Sequence, residues 1–272
     1  MSAGASLSAA ARKARLVRAF LRGEPVHCTW QLSPRCESFC HFCEHRAESA
    51  AEALDAAACA RVAADLGRRS SLLVSFTGAD PFLREDLPEV VRSVAARHFP
   101  LLVTNGWRVG RERARAVWTA GLEAASVALE DAGPDGHDAL TGQPGSFARA
   151  EAALLALAGE RTRRSQRVNV RARLRGSDLS PLEGLLRLAA RHGATVSVEA
   201  AFPLPAAGED AGDLVRRLRE LRRRHANLRT SAHALEGLAS ALSGGVGGCL
   251  AGRAFFNVDH RGHVTKCLEF RS

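Results

Sequence analysis

Six short strand-like segments, each but the last followed by a helix-like stretch before the next begins, restrict this 272-residue chain to a parallel α/β architecture. The strand-like segments are Val26–Leu32, Leu72–Phe76, Leu101–Val103, Ala124–Leu129, Val168–Leu174 and Thr195–Ala200. In the first, Val26, Cys28, Trp30 and Leu32 alternate with His27, Thr29 and Gln31, the period of two of a strand. Helices are predicted over 7–21, 52–66, 87–96, 111–120, 147–158 and 181–192. Right-handed crossovers place such helices outside the sheet, and loops leaving the carboxyl ends of the strands carry the sites of these folds. Periodicity alone leaves a barrel and an open sheet as alternatives.

Hydrophobic residues make up 46% of the chain, enough to bury a full core. Arg, Asp or Glu interrupts every apolar stretch before it reaches membrane-spanning length, and residues 1–11 lack the apolar core of a signal peptide. A cytoplasmic location, where thiols stay reduced, is therefore expected, with no membrane partner. The formal charge of +9 is carried almost entirely by Arg, with Lys only at Lys13 and Lys266. Arg and Ala richness together with the absence of Tyr reads as a GC-rich coding bias, so the charge by itself does not indicate a nucleic-acid partner. The densest run, Arg216 to Arg224, keeps leucines at helical spacing and reads first as the solvated face of an amphipathic helix. An acidic leader peptide or an RNA is the alternative for that face.

The cluster loop carries the chemistry. In Cys36-Glu37-Ser38-Phe39-Cys40-His41-Phe42-Cys43, three thiolates spaced by three and then two residues can hold three irons of a cubane and leave the fourth iron open. A structural zinc site, completed by His41 or His45, is the competing reading, although zinc knuckles normally arrange their ligands as two pairs. Cys28 alternates with Val26 and Trp30 on its strand, and Cys59 lies on an apolar helical stripe with Ala56, Val62, Ala63 and Leu66, so both read as core.

The triplet with aromatic Phe42 before its last cysteine resembles the radical S-adenosylmethionine (radical SAM) superfamily. Four further stretches are similar to that family in order. Thr77-Gly78-Ala79-Asp80-Pro81 resembles its Gly-Gly-Glu-Pro motif, with Ala79 for the second Gly and Asp80 for Glu. Thr104-Asn105-Gly106 closes the third strand. Ala128-Leu129-Glu130-Asp131 precedes His137-Asp138 and Gly142, and Asn169 shares the fifth strand with Arg171 and Arg173. His137 and Asp138 read primarily as local caps. The resemblance implies a partial (β/α)6 barrel, a 4Fe–4S cluster on Cys36, Cys40 and Cys43, and reductive cleavage of SAM to a 5′-deoxyadenosyl radical. It further implies SAM contacts from Phe42 near the adenine, from Gly78, Ala79, Asp80 and Pro81 at the methionyl group, and from Thr104, Asn105, Glu130 and Asn169.

The tail resembles the start of a twitch or SPASM extension. Two alternating segments around His260-Arg261-Gly262 predict a β-hairpin flanked by Cys249 and Cys267. Two thiolates fall short of the usual four, so an absent or incomplete second iron–sulfur cluster is expected. The organisation expected is an N-terminal helix over 1–22, a barrel over 23–205, a helical connection over 206–243 and a hairpin module over 244–272. Within the family, peptide or cofactor maturation fits best, with a peptide or small molecule as substrate and flavodoxin or ferredoxin as reductant. No leader-binding domain is visible before Val26, so a peptide would be delivered by a separate protein or recognised by the barrel itself. The alternatives are a non-catalytic iron–sulfur or zinc protein on the same fold and a nucleic-acid modifying member of the family.

Overall fold

A computed structural model describes residues 6–38, 40, 43, 53–200, 211–242 and 250–265. The amino-terminal helix α1 (Ala9–Leu21) is capped by the Ser8 hydroxyl, and the Arg12 guanidinium donates to the carbonyls of Ala95 and His98 at 2.8 and 2.7 Å. The alternating units follow as β1 (His27–Ser33), α2 (Ala56–Arg69), β2 (Leu73–Gly78), α3 (Leu87–Ala95), β3 (Phe99–Thr104), α4 (Arg111–Thr119) and β4 (Ala124–Ala128). Next come α5 (Pro134–Thr141), α6 (Ser146–Gly159), β5 (Arg167–Leu174), α7 (Ser180–Arg191) and β6 (Thr195–Ala200). After α8 (Ala211–Arg224) and α9 (Ala232–Leu242), the tail forms β7 (Phe255–Val258) and β8 (Val264–Thr265).

These strands form one sheet in the order β6-β5-β4-β3-β2-β1-β7-β8. Every pairing is parallel except β7 with β8, and the sheet does not close on itself. The architecture is thus the partial, open α/β barrel that the alternation and the resemblance imply. The hairpin differs from a free appendage, because β7 pairs in parallel with β1, His27 with Phe255 and Trp30 with Val258. An unpaired β1 edge would leave backbone donors and acceptors without partners, and β7 satisfies them. At the other edge the chain after α8 covers β6: Val196 donates to the Asn227 carbonyl and Arg229 donates to the Val196 carbonyl, both at 2.8 Å.

The strands sort their side chains by face. Cys28, Trp30, Leu32, Val74, Phe76, Leu102, Val127, Val170 and Val196 are all nearly fully buried between sheet and helices, with the Trp30 and Phe76 rings 6.2 Å apart. The alternate residues line the concave side and are mostly polar. His27 meets Ser75 at 2.8 Å, and the Asn169 amide donates to Ser126 and Ser197. Apolar burial on one face supplies the folding free energy, on the order of 25 cal/mol per Å² removed from water, and leaves the other face for binding.

Candidate active site

The carboxyl ends of β1, β2 and β3 assemble one rim of the barrel. Cys36, Cys40 and Cys43 are free thiols on the segment that leaves β1; Cys36 is exposed and the other two are half-buried. Three contacts from neighbouring strand ends fix this segment. Asp80 N donates to the Arg35 carbonyl at 3.2 Å, the Asn105 amide donates to Ser38 Oγ at 2.9 Å and to Cys36 Sγ at 3.7 Å, and Arg108 pairs with Glu37. The Ser38 N–H also points at Cys36 Sγ, at 3.4 Å. Within the loop Cys43 N donates to the Cys40 carbonyl at 3.1 Å.

The glycines that punctuate this rim are required by space. Gly78 has φ +87°, and a Cβ there would lie 2.1 Å from Gln31 Cγ. Gly106, also at φ +87°, would place a Cβ 2.8 Å from the Ala150 backbone. Any larger residue would push β2 off β1, or the end of β3 off α6.

Burial pushes the Cys40 thiol up to about 11, with Cys43 and Cys36 adding to the rise, and burial likewise raises Cys36. Iron binding would displace their protons, because the thiolate is the ligand. As placed, no three Cys, His, Asp or Glu side chains among the described residues chelate a single ion. A cubane, with each thiolate on its own iron, asks for a wider spread. N–H groups directed at a ligand sulfur are the hydrogen bonds that tune iron–sulfur sites, so the donor set fits a cluster. Phe42, His41, His45, Cys249 and Cys267 lie outside the described residues.

Asp80 is engaged within the rim. Its carboxylate is only 2% exposed and accepts from Thr104 Oγ1 at 2.7 Å, Asn105 N at 3.0 Å and Phe82 N at 2.9 Å. Burial raises its pKa to about 6 despite these three donors. The shorter Asp thus turns inward to weld β2 to β3 and cap the 3-10 turn Pro81–Leu83. At the end of β2 Gly78 and Ala79 are half-buried, while Asp80 and Pro81 are buried at the start of the turn.

Asn169 is held by its neighbours on the concave face. It lies toward the amino-terminal end of β5, in register with Ser126 and Thr195, and its amide is spent on Ser126, Ser197 and Thr195. Both of its N–H bonds and one acceptance are thus internal to the barrel floor.

The opposite half of the rim is charged. Glu130, 4% exposed, accepts from Arg175 at 2.7 Å and faces Arg173 at 3.5 Å. Arg171 donates to both carboxylate oxygens of Glu199 of β6 from Nε and Nη2 of one guanidinium edge, the Nη2 bond being 2.6 Å. The polar Arg171 and Arg173 of the sequence therefore line the concave face. His137 and Asp138 are caps. His137 Nδ1 accepts the Glu130 N–H at 3.0 Å, and Asp138 accepts from Gly145, Ser146 and Phe147 at the start of α6. Burial holds His137 below its ordinary value, keeping it neutral and able to accept. Cys28 and Cys59 are buried core residues whose pKa values burial pushes to about 12 and about 11.

Two supports of the rim carry no sequence signal. Arg84 donates to the carbonyls of Leu32 and Leu54 at 3.1 and 2.8 Å, tying the end of β1 to the return of the cysteine loop. Arg108 lies beyond the Thr-Asn-Gly motif and reaches back to Glu37. Only the tertiary fold brings these residues together.

The sequence matches the Radical SAM superfamily over residues 30–189, from β1 into α7. The chain belongs to the radical SAM superfamily. It is 32% identical over 128 residues to the PqqA peptide cyclase of Methylocella silvestris, a stretch covering 46% of this chain and 34% of that protein. It is 30% identical over 190 residues to the mycofactocin maturase MftC of Mycolicibacterium smegmatis, covering 68% of this chain and 47% of that one. These stretches thus span between a third and half of the relatives' length. Among solved structures, Streptococcus suis SuiB bound to S-adenosylmethionine superposes with a TM-score of 0.70 at 14% identity, over 95% of this chain and 64% of that one. The structure of anSMEcpe with bound AdoMet and Cp18Cys peptide gives 0.64 at 16% identity, over 91% of this chain and 75% of that one. At such identities the likeness is one of fold.

Proposed function

We propose that this chain is a radical SAM enzyme that acts on a peptide. The observation that carries the reading is the trio of free thiols on the β1 loop, held from β2 and β3 with N–H groups directed at Cys36 Sγ. Cys36, Cys40 and Cys43 would hold a 4Fe–4S cluster, and Phe42 and the backbone of Gly78 to Pro81 would bind SAM beside it. When bound, the cluster and SAM supply one-electron cleavage of SAM to a 5′-deoxyadenosyl radical. The chain's own work is positioning. Asp80 fixes Thr104 and Asn105, Asn105 orients the cysteine loop, and the polar concave face with Arg171, Arg173 and Glu199 receives the substrate opposite the thiols. A peptide substrate is supported by the relatives, a peptide cyclase and a maturase by name. A small flavodoxin- or ferredoxin-type reductant and a cytoplasmic setting complete the assignment; among the described residues no helix is long and apolar enough to cross a membrane. The cluster assigned is the one on Cys36, Cys40 and Cys43.

The test is anaerobic reconstitution with iron and sulfide, then SAM and dithionite. Formation of 5′-deoxyadenosine, abolished in Cys40→Ala, is the expected result. Transfer of deuterium from a deuterated peptide into the 5′-deoxyadenosine identifies the substrate class. Intact SAM in a fully iron-loaded protein would refute the catalytic assignment.

A further inference from the structure

The arginine run of α8 divides by partner. Arg216 pairs with Asp213 and Glu220, Arg217 approaches Asp213 at 3.9 Å, Arg219 pairs with Glu236 of α9, and Arg224 reaches Glu183 of α7 at 3.1 Å. These are the ordinary salt bridges of a solvated helix face, each worth little. Among the described residues the side chains of Arg222 and Arg223 form no hydrogen bond or ion pair, and neither does that of Arg229 in the segment that follows. All three line the same cavity of about 680 Å³, whose remaining walls include Arg219, Leu228 and Ala232.

Burial of Leu214, Leu218 and Leu221 fixes α8 on the barrel and leaves its arginines no inward alternative. No acidic residue is among the described residues that line the cavity. Gathering like charges in a concave site raises the local positive potential and concentrates anions there. The cavity lies at the amino-terminal end of β6, where Leu228 bridges Val196, and so at the opposite end of the sheet from the cysteine loop.

We propose that this cavity is a docking site for an acidic peptide segment, separate from the active site. Guanidinium forks match carboxylates in bidentate geometry. The apolar walls, Leu228 with Ala226 and Ala232, suit aliphatic side chains between the acidic ones. Single-stranded nucleic acid fits less well, because the lining contains no aromatic or histidine side chain on which a base could stack. The site would anchor a peptide, or the protein that delivers it, at a distance from the thiols.

Fluorescence anisotropy on the full chain tests this with three probes: a short peptide alternating glutamate and leucine, its glutamine counterpart, and an oligothymidylate of equal charge. The glutamate peptide binds in a salt-sensitive manner and the glutamine peptide does not. Arg222→Gln, Arg223→Gln and Arg229→Gln combined weaken the glutamate peptide by about tenfold or more. Among the described residues these side chains have no partner to lose, so the melting temperature should hold. The matched variant Arg161→Gln, Arg164→Gln, Arg167→Gln, which removes equal charge from an exposed face elsewhere, leaves binding unchanged. Equal loss in both variants, or no loss in the first, overturns the site. Tighter binding of the oligothymidylate, lost in the first variant, overturns the peptide in favour of a polyphosphate. Because none of these readouts involves SAM cleavage, the outcome is independent of the catalytic assignment.

Discussion

The two halves of the barrel rim solve the same packing problem with opposite chemistry. Over β1 to β3 the strand ends are joined by a single buried carboxylate, Asp80, that accepts hydrogen bonds from Thr104, Asn105 and Phe82. Over β4 to β6 they are joined by ion pairs, with Glu130 between Arg173 and Arg175, and Arg171 on Glu199. The first half fixes a loop and has almost no exposed charge of its own at the weld. The second keeps three guanidinia about a quarter to a third exposed, where a bound molecule could meet them. In the proposed function the rigid half would hold the cofactor loop and the charged half would receive the substrate.

The sharpest way to break this contrast is at Asp80. Asp80→Ala leaves three buried donors without an acceptor and should cost about 3 kcal/mol in urea unfolding followed through the buried Trp30 and Trp118. The same residue gives the first half a pH dependence. Its folded pKa of about 6 stands above the ordinary 3.8, so its contribution is fully present below 3.8 and is lost as pH rises through 6. Wild type should therefore lose about 3 kcal/mol across that window relative to Asp80→Asn, whose profile is flat there.

On the charged half, Glu130→Gln leaves two guanidinia facing a neutral amide. The loss should be roughly 2–3 kcal/mol, below that of a wholly buried pair because Arg173 and Arg175 remain 26% and 31% exposed. Asp138→Ala, which removes the cap of α6 without touching either rim, should cost about 1–2 kcal/mol. The smallest effect is the coupling between Arg171 and Glu199. A double-mutant cycle should return less than about 1 kcal/mol, since both side chains are about a third exposed. A coupling as large as the Asp80 effect would erase the distinction between the halves.

Much of this was legible in the chain. The six strands and the cysteine triplet follow local rules, alternation and spacing, and the His137-Asp138 caps follow from side-chain chemistry near in sequence. The direction of Asp80 was not legible, because it depends on Thr104 and Asn105 arriving on the next strand. The height of Asn169 in the barrel was not legible either: a polar residue on an inward face reads alike at the mouth and at the floor, and only the register with Ser126 and Thr195 locates it. Helix α5 was overlooked because its first turn, Pro134-Asp135-Gly136, reads as a turn. The joining of β7 to β1 pairs Phe255 with His27, a contact between distant parts of the chain that no local pattern encodes.

The central claim is that the cysteines of the β1 loop, and not those of the core, hold one cluster with an open iron. Iron content and the electron paramagnetic resonance spectrum of the reduced, reconstituted protein, with and without SAM, test it in wild type, Cys40→Ala and Cys59→Ala. Wild type and Cys59→Ala should carry about four irons and show a spectrum that changes when SAM is added, while Cys40→Ala loses both. Bound zinc in place of iron, or a full iron complement in Cys40→Ala with a spectrum indifferent to SAM, would contradict the account.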